Sequence, residues 1–343
     1  MIQEAIEKVV DGKDLSEAEM VETMNEIMEG RTTPAQTGAL LVALRMKGES
    51  VNEITGAARV MRAKALRIPP PALKQGELVV DTCGTGGDNT GTFNVSTIAA
   101  FVVAGAGVKV AKHGNRAVSS LCGSADLMEA LGVSLEVSPE RLGDYLNEVG
   151  ICFLFAPLLH SAMKHAIGPR RELGLRTIFN ILGPLTNPAG ATAQVMGVYD
   201  PALTTTLAEV LGRLGVPSAF VVHGEGGYDE ITVTGRTKMA RLANGEVTEI
   251  TITPGELGLC EAQPGEITGG DAAGSAVLCR DILKGKPGAP RDMVLMNAAA
   301  ALVAADRAPD MKAGVDQAAG SIDSGAAMAK LKALVEVSNR KVA

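Results

Sequence analysis

The chain has 343 residues, 46% apolar and 21% charged, with a net charge of -7, 40 glycines, six Phe, three Tyr and no Trp. Acidity and scarce aromatics argue against a single-stranded nucleic-acid binder, which needs a basic groove and stacking platforms, and the longest apolar stretches, Ile98–Val108 and Ala298–Ala305, fall short of the roughly 20 residues of a membrane span. At this length one large domain or two can bury a substantial core, which must be built from Ala, Val, Leu, Ile and Met.

Glu4 and Glu7 stand where a signal peptide would carry its basic region, so no leader and a cytoplasmic location are expected. Ile2, Ile6 and Val9 keep helical spacing, giving a first helix. Ser16 with Glu19 forms a capping box before a second that stops at Gly30. Thr33 and Pro34 suit the N-cap and first position of a third, ending near Gly48, and Ser50 with Glu53 opens a fourth. Four short helices of this kind pack as a small bundle. Pro69–Pro71 then fixes extended backbone, as a semi-rigid linker or hinge.

Beyond the prolines the texture becomes strand, glycine turn, helix, strand. Leu78–Val80 reads as a buried strand, Gly84–Thr92 as a loop, Thr97–Val103 as an apolar helix and Val108–Ala111 as the next strand. Such βαβ units build parallel sheets that bind ligands at the carboxyl ends of their strands. Further strands are expected at Ala193–Val198, Ala219–Val222 and Ile231–Thr234, with helices between them and alanine-rich helices such as Met293–Ala305 at the C-terminus. Five cysteines, Cys83, Cys122, Cys152, Cys260 and Cys279, are odd in number and scattered, so they read as reduced thiols.

The strongest local signal runs from Asp81 through Cys83, Gly84, Gly86, Gly87, Asp88 and Gly91 to Asn94-Val95-Ser96-Thr97. Glycines between a strand and a helix let backbone N–H groups converge on an anion, and the helix start adds its dipole and hydroxyls. It is neither a Walker loop, since Thr92 and Phe93 follow Gly91, nor a dinucleotide fingerprint, since Asn89 replaces the last glycine. The next strand ends in Lys112-His113-Gly114-Asn115-Arg116-Ala117-Val118-Ser119-Ser120, which brings two cations and several donors to the same rim. Asp229-Glu230 is the only adjacent acidic pair in the chain. In a loop both carboxylates can turn toward a hard cation such as magnesium bridging phosphates. Arg170-Arg171 offers a carboxylate contact or an ordinary solvated pair. His160 and His165 are spaced wrongly for a helical metal site, and no nucleophilic triad is indicated.

Together these motifs, with Gly30–Gln36 and Arg176–Pro188 (RTIFNILGPLTNP), resemble the anthranilate phosphoribosyltransferase family over essentially the whole chain. The resemblance implies an α/β fold: a large domain with a mostly parallel central sheet flanked by helices, plus a small all-helical domain. Residues 1–72, with helices from about 158–186 added back, would form the small domain, and 73–157 with 187–343 the large one. The implied reaction moves the phosphoribosyl group of phosphoribosyl pyrophosphate onto the amine of anthranilate, in tryptophan biosynthesis. Carried over by motif, Gly84, Gly87, Asp88, Thr92, Asn94, Val95, Ser96, Thr97, Lys112, Gly114, Asn115, Arg116, Ala117, Ser119, Ser120 and Ser124 would hold phosphoribosyl pyrophosphate. Gly84, Asn115 and Arg170 would contact anthranilate, with His113 and His160 near its entry path, and Ser96, Asp229 and Glu230 would hold Mg2+. No residue is implied as a covalent catalyst; Lys112 and Arg170 contribute charge and positioning. A homodimer through the helical domain is implied, with no nucleic acid and no membrane as partner. Two other readings stay open on the residues alone: a pyrimidine nucleoside phosphorylase, which needs one phosphate subsite, and a non-catalytic nucleic-acid-binding relative.

Overall fold

The computed structural model describes residues 1–88, 90–117 and 120–340. The N-terminal helices are α1 (Ile2–Val10), α2 (Glu17–Met28), α3 (Pro34–Lys47) and α4 (Val51–Lys64). Capping boxes open three of them, at Ser16/Glu19, Thr33/Gln36 and Ser50/Glu53. Glu53 does more than cap. Its fully buried carboxylate accepts from Leu15 N–H at 3.0 Å and from Lys47 Nζ at 2.9 Å, which ties α4 to α3 and to the turn before α2.

The α/β part follows in the order β1 (Val79–Gly84), α5 (Val95–Gly105), β2 (Lys109–Gly114), α6 (Ser124–Leu131), α7 (Pro139–Glu148), β3 (Ile151–Phe155), α8 (Ala156–Leu159), α9 (Lys164–Leu173), α10 (Ile178–Leu182) and β4 (Ala193–Gly197). It continues through α11 (Leu203–Arg213), β5 (Ser218–Gly224), β6 (Thr237–Ala243), β7 (Glu246–Ile252), α12 (Ala272–Leu283), α13 (Ala289–Ala304), α14 (Met311–Asp323) and α15 (Ala326–Asn339). The seven strands form one sheet in the order β3-β2-β1-β4-β5-β6-β7. The first five are parallel, and β6 and β7 complete the edge as an antiparallel hairpin. No helix among the described residues is long and apolar enough to cross a membrane.

Alternation along the strands divides the interior into two cores. Ala193, Val195, Phe220, Val222 and Met239 face α5 and α13, which are buried around nearly their whole circumference. Met196, Val198, Ala219, Val221, Ala240 and Leu242 face α11 and share a core with the N-terminal helices and with Ala166, Ile178, Phe179, Ile181 and Leu182. The segments between the helical and sheet-bearing parts lie side by side. Leu66 N–H donates to the Leu159 carbonyl at 2.9 Å, and Ile68 N–H donates to the Pro188 carbonyl at 3.2 Å.

Three strands escape the sequence reading. Ile151–Phe155 is a short continuous apolar run, buried on both faces as a parallel strand is. The β6–β7 hairpin turns at Asn244 (φ 53°) and Gly245 (φ 80°), the Asn-Gly pair that favours tight hairpins. Ile231–Thr234, by contrast, is not a strand. Its composition suits one, but Ile231 exchanges both backbone bonds with the Asn297 side chain on α13, at 3.0 and 2.8 Å, instead of joining a ladder.

Candidate active site

The strand order reverses at β1, with β2 on one side and β4 on the other, so a crevice opens beyond the carboxyl ends of β1 and β4. Four of the five parallel strands end there in glycine: Gly84, Gly114, Gly197 and Gly224. After β5 the chain turns at Gly224–Tyr228 and comes back across this rim. A Cβ at Gly84 would overlap the Asp229 carboxylate, and one at Gly197 would overlap the Asp229 backbone carbonyl. The missing side chains let the acidic loop lie directly on the strand ends.

That loop then joins the two halves of the anion cradle. Asp229 Oδ2 accepts from Gly86 N–H at 2.7 Å, and Glu230 Oε1 accepts from Ser96 N–H at 3.0 Å in the first turn of α5. Thr85 is pinned to β4, its N–H donating to the Gly197 carbonyl at 2.9 Å and its hydroxyl accepting from Tyr199 N–H at 3.2 Å. Burial, reinforced by the charge of Asp88, pushes the Asp229 carboxyl up to about 7. Burial and then Asp229 push Glu230 up to about 8. Two buried neighbouring carboxylates without a cation resist ionising together. With the Ser96 hydroxyl beside Glu230, the donors are all oxygen, the set a hard divalent cation takes. Among the described residues no group of three or more His, Cys, Asp or Glu forms a metal cage.

Lys112 reaches the same rim from β2. The β1–β2 ladder pairs Val79 with Lys109 and Val80 with Val110 and goes no further. Beyond it, buried side chains bridge the strands: Asp81 accepts from His113 N–H at 3.0 Å and from Asn187 Nδ2 at 2.8 Å, and Asn187 Nδ2 also donates to the Ala111 carbonyl at 2.8 Å. The buried Lys112 ammonium donates to the His113 carbonyl at 3.0 Å, and its charge acts on both Asp81 and Glu230. Asn94 Oδ1 and Thr97 Oγ1, both expected to bind phosphoribosyl pyrophosphate, are buried with no hydrogen-bond partner among the described residues. Such atoms suit a polar ligand.

The remaining expected residues take varied positions. Gly87 and Asp88 lie in the loop after β1, and Thr92 bridges to Thr268. The Val95 side chain belongs to the core beneath the helix start. Ser124 accepts from Asn115 N–H and donates to the Asn115 carbonyl, both at 3.1 Å, holding the loop after Gly114. The Arg116 guanidinium pairs with Asp126 and Glu129 and lies over Phe155. Ala117 N–H donates to Asp126 at 3.0 Å, and the Ser120 hydroxyl donates to the Cys122 carbonyl at 3.4 Å. Ser119 lies outside the described residues. His113 and His160 pack with ring centroids 5.2 Å apart, each with Nε2 buried and unpartnered among the described residues. Burial, aided by His160, lowers His113 to about 3, and burial lowers His160 to about 4, so both rings are neutral. Arg170, half-buried on α9, sits 5.1 Å from the Phe179 ring centroid.

Four residues contribute in ways the sequence reading did not foresee: Gly197 closes the rim, Asp81 with Asn187 ties β1 to β2, and Arg176 donates from Nη2 to the Gly87 carbonyl. The signal for Gly197 was a glycine at a strand's end, which only the returning loop explains.

Comparisons with known proteins agree with this geometry. Residues 3–65 match the helical bundle domain of a glycosyl transferase family, and residues 76–328 match its a/b domain. An anthranilate phosphoribosyltransferase from Geobacter sp. (strain M21) is 56% identical, covering 99% of each chain, and one from Moorella thermoacetica is 56% identical over 98% of each. The crystal structure of anthranilate phosphoribosyltransferase from Thermus thermophilus superposes with a TM-score of 0.92 at 44% identity, covering 98% of this chain and 99% of that one. The enzyme from Saccharomyces cerevisiae, solved in complex with PRPP and Mg, gives 0.88 at 26% identity, covering 98% and 97%. With a glycine loop, an acid pair and a lysine on one sheet rim, and likeness running the length of the chain, this protein belongs to the anthranilate phosphoribosyltransferase family.

Proposed function

We propose that this chain transfers the phosphoribosyl group of phosphoribosyl pyrophosphate to the amine of anthranilate, releasing pyrophosphate, as in tryptophan biosynthesis. The observation that carries the reading is the Asp229-Glu230 pair, bonded at once to the glycine loop and to the start of α5. Loop amides, Lys112 and the buried Asn94 and Thr97 oxygens would hold the donor, and Ser96, Asp229 and Glu230 would hold magnesium. Magnesium supplies positive charge to the pyrophosphate as it leaves. Lys112 and the backbone donors act in the same direction, because negative charge grows on pyrophosphate as its bond to C1' breaks. Arg170 would hold the anthranilate carboxylate, together with Asn115, so that its neutral amine lies in line with C1'. The neutral rings of His113 and His160 would line the approach without competing for that carboxylate as cations.

Residues 1–72 with about 158–186 would move as one domain against 73–157 and 187–343, about the Pro69–Pro71 linker and the second crossing near Asn187-Pro188, where Ile68 N–H donates to the Pro188 carbonyl. Closure would exclude the water that otherwise hydrolyses the donor. A homodimer through the helical part, where Val10 and Met46 stand exposed, and a cytoplasmic location complete the reading. The test is loss of anthranilate fluorescence on adding phosphoribosyl pyrophosphate and magnesium, with thymidine and phosphate as a parallel reaction. Folded protein that leaves anthranilate fluorescence intact, or that cleaves thymidine, would overturn it.

A further inference from the structure

Arg176 lies in the connection between α9 and α10, six residues after Arg170, yet its contacts are with the glycine loop. Its guanidinium stacks on Tyr199, 4.3 Å from the ring centroid, and Nη2 donates to the Gly87 carbonyl. A Cβ at Gly87 would stand 3.3 Å from Arg176 Nη2 and 3.5 Å from Nε, so the guanidinium lies along that residue's backbone. Gly87 has φ +71°, a conformation other residues adopt only at a cost, so an outside contact is useful in holding it. Tyr199 is itself anchored, its N–H donating to the Thr85 hydroxyl at 3.2 Å. Stack and hydrogen bond therefore clamp the loop from one side.

The clamp has a directional consequence. In a trans peptide the carbonyl and the following N–H point to opposite sides. A Gly87 carbonyl held toward Arg176 aims the Asp88 N–H away from the guanidinium, and among the described residues neither the Gly87 nor the Asp88 N–H has a protein acceptor. We propose that Arg176 is a positioning residue, which orients the Gly87–Asp88 peptide so that its N–H presents to the pyrophosphate and links that loop to the segment carrying Arg170. The proposal rests on the transferase reading above. Arg176 itself need not touch either substrate.

The experiment compares wild type, R176Q, R176K and Y199L, measuring kcat and both KM values by anthranilate fluorescence and magnesium-dependent phosphoribosyl pyrophosphate affinity by calorimetry. Loss of a charge-assisted hydrogen bond should raise the phosphoribosyl pyrophosphate KM and Kd by about tenfold in R176Q and leave the anthranilate KM within about twofold. R176K, which keeps a cationic donor without the planar stack, should recover part of the loss, and Y199L should move the same constants in the same direction. An increase confined to anthranilate, an equal rise in both KM values, or unchanged donor constants in folded protein would overturn the proposal. If R176Q does not fold, R176K and Y199L decide. Wild-type protein without turnover would refute the transferase reading instead, and the calorimetric comparison of wild type with R176Q would still decide whether Arg176 prepares the loop for a pyrophosphate.

Discussion

Gly197→Ala adds a single methyl group at the end of β4, beside its ladder partner Gly84, at a residue not itself expected to touch substrate. The site it meets has no room: the new Cβ would overlap the Asp229 backbone carbonyl, and that loop is fastened by the Gly86 and Ser96 bonds. Relief requires the acidic loop to retreat by about 2 Å, the difference between overlap and an ordinary carbon–oxygen contact. A retreat of that size breaks both carboxyl hydrogen bonds, to Gly86 N–H and Ser96 N–H. It also moves the oxygens proposed to hold magnesium by more than the ångström that commonly costs about 100-fold in rate. G197A should therefore lower kcat by about 100-fold or more, while overpacking removes about 1–3 kcal/mol of stability and leaves the protein folded. Initial rates of fluorescence loss across a magnesium titration, paired with urea unfolding, measure both. A folded G197A protein with wild-type kcat and wild-type magnesium dependence would refute the argument that strand-end glycines seat the acid pair.

Replacing Asp229 and Glu230 together by Asn and Gln should lower turnover and shift the magnesium dependence, since theirs are the carboxyl oxygens that the rim loop brings to the cradle and that a divalent cation would draw into the ionised form; unchanged rate and metal dependence in a kinetic titration would contradict it. R170A should raise the anthranilate KM by about tenfold, with a small effect on kcat, because the proposed carboxylate contact would be kept in ground and transition states alike; an unchanged KM would remove Arg170 from that role. His113 is held neutral by burial, with its pKa lowered from 6.5 to about 3. As pH falls the unfolded chain therefore takes up this proton first, so stability is full above about pH 6.5 and is lost progressively toward pH 3. H113N should remove about 3 kcal/mol of the decline between pH 7 and pH 4, measured by urea unfolding at both; parallel pH slopes in the two proteins would refute it.

Much of this site is legible in the chain because its signals are local. Capping residues mark α2 to α4, and the glycine loop between a strand and an apolar helix announces an anion site before any fold is known. The rim is different. Asp229 and Glu230 stand out as a pair, but nothing nearby says that they lie over β1 and β4, because that depends on Gly84 and Gly197, more than 30 residues away in the chain. Ile231–Thr234 misleads for a related reason: β-branched residues suit a strand, and only the distant Asn297 diverts their backbone bonds. The β6–β7 hairpin could have been read from Asn244-Gly245, a local turn signal. Arg176 sits inside a motif visible in the sequence, but its partner Gly87 is set by the packing of α9 and α10 against the sheet. Arg116, in the basic segment after β2, pairs with two carboxylates on α6, a contact that its place in the chain does not announce.

The central claim is that the loop, acid pair and lysine on this rim make a transferase site for a pyrophosphate-bearing donor. Its most direct measurement follows one reaction of the full chain with anthranilate, phosphoribosyl pyrophosphate and magnesium, recording fluorescence while quantifying pyrophosphate by phosphorus NMR. The account predicts one pyrophosphate released for each anthranilate consumed, with both processes stopping when magnesium is chelated. Pyrophosphate release with anthranilate left intact, or no release from folded protein, would contradict it.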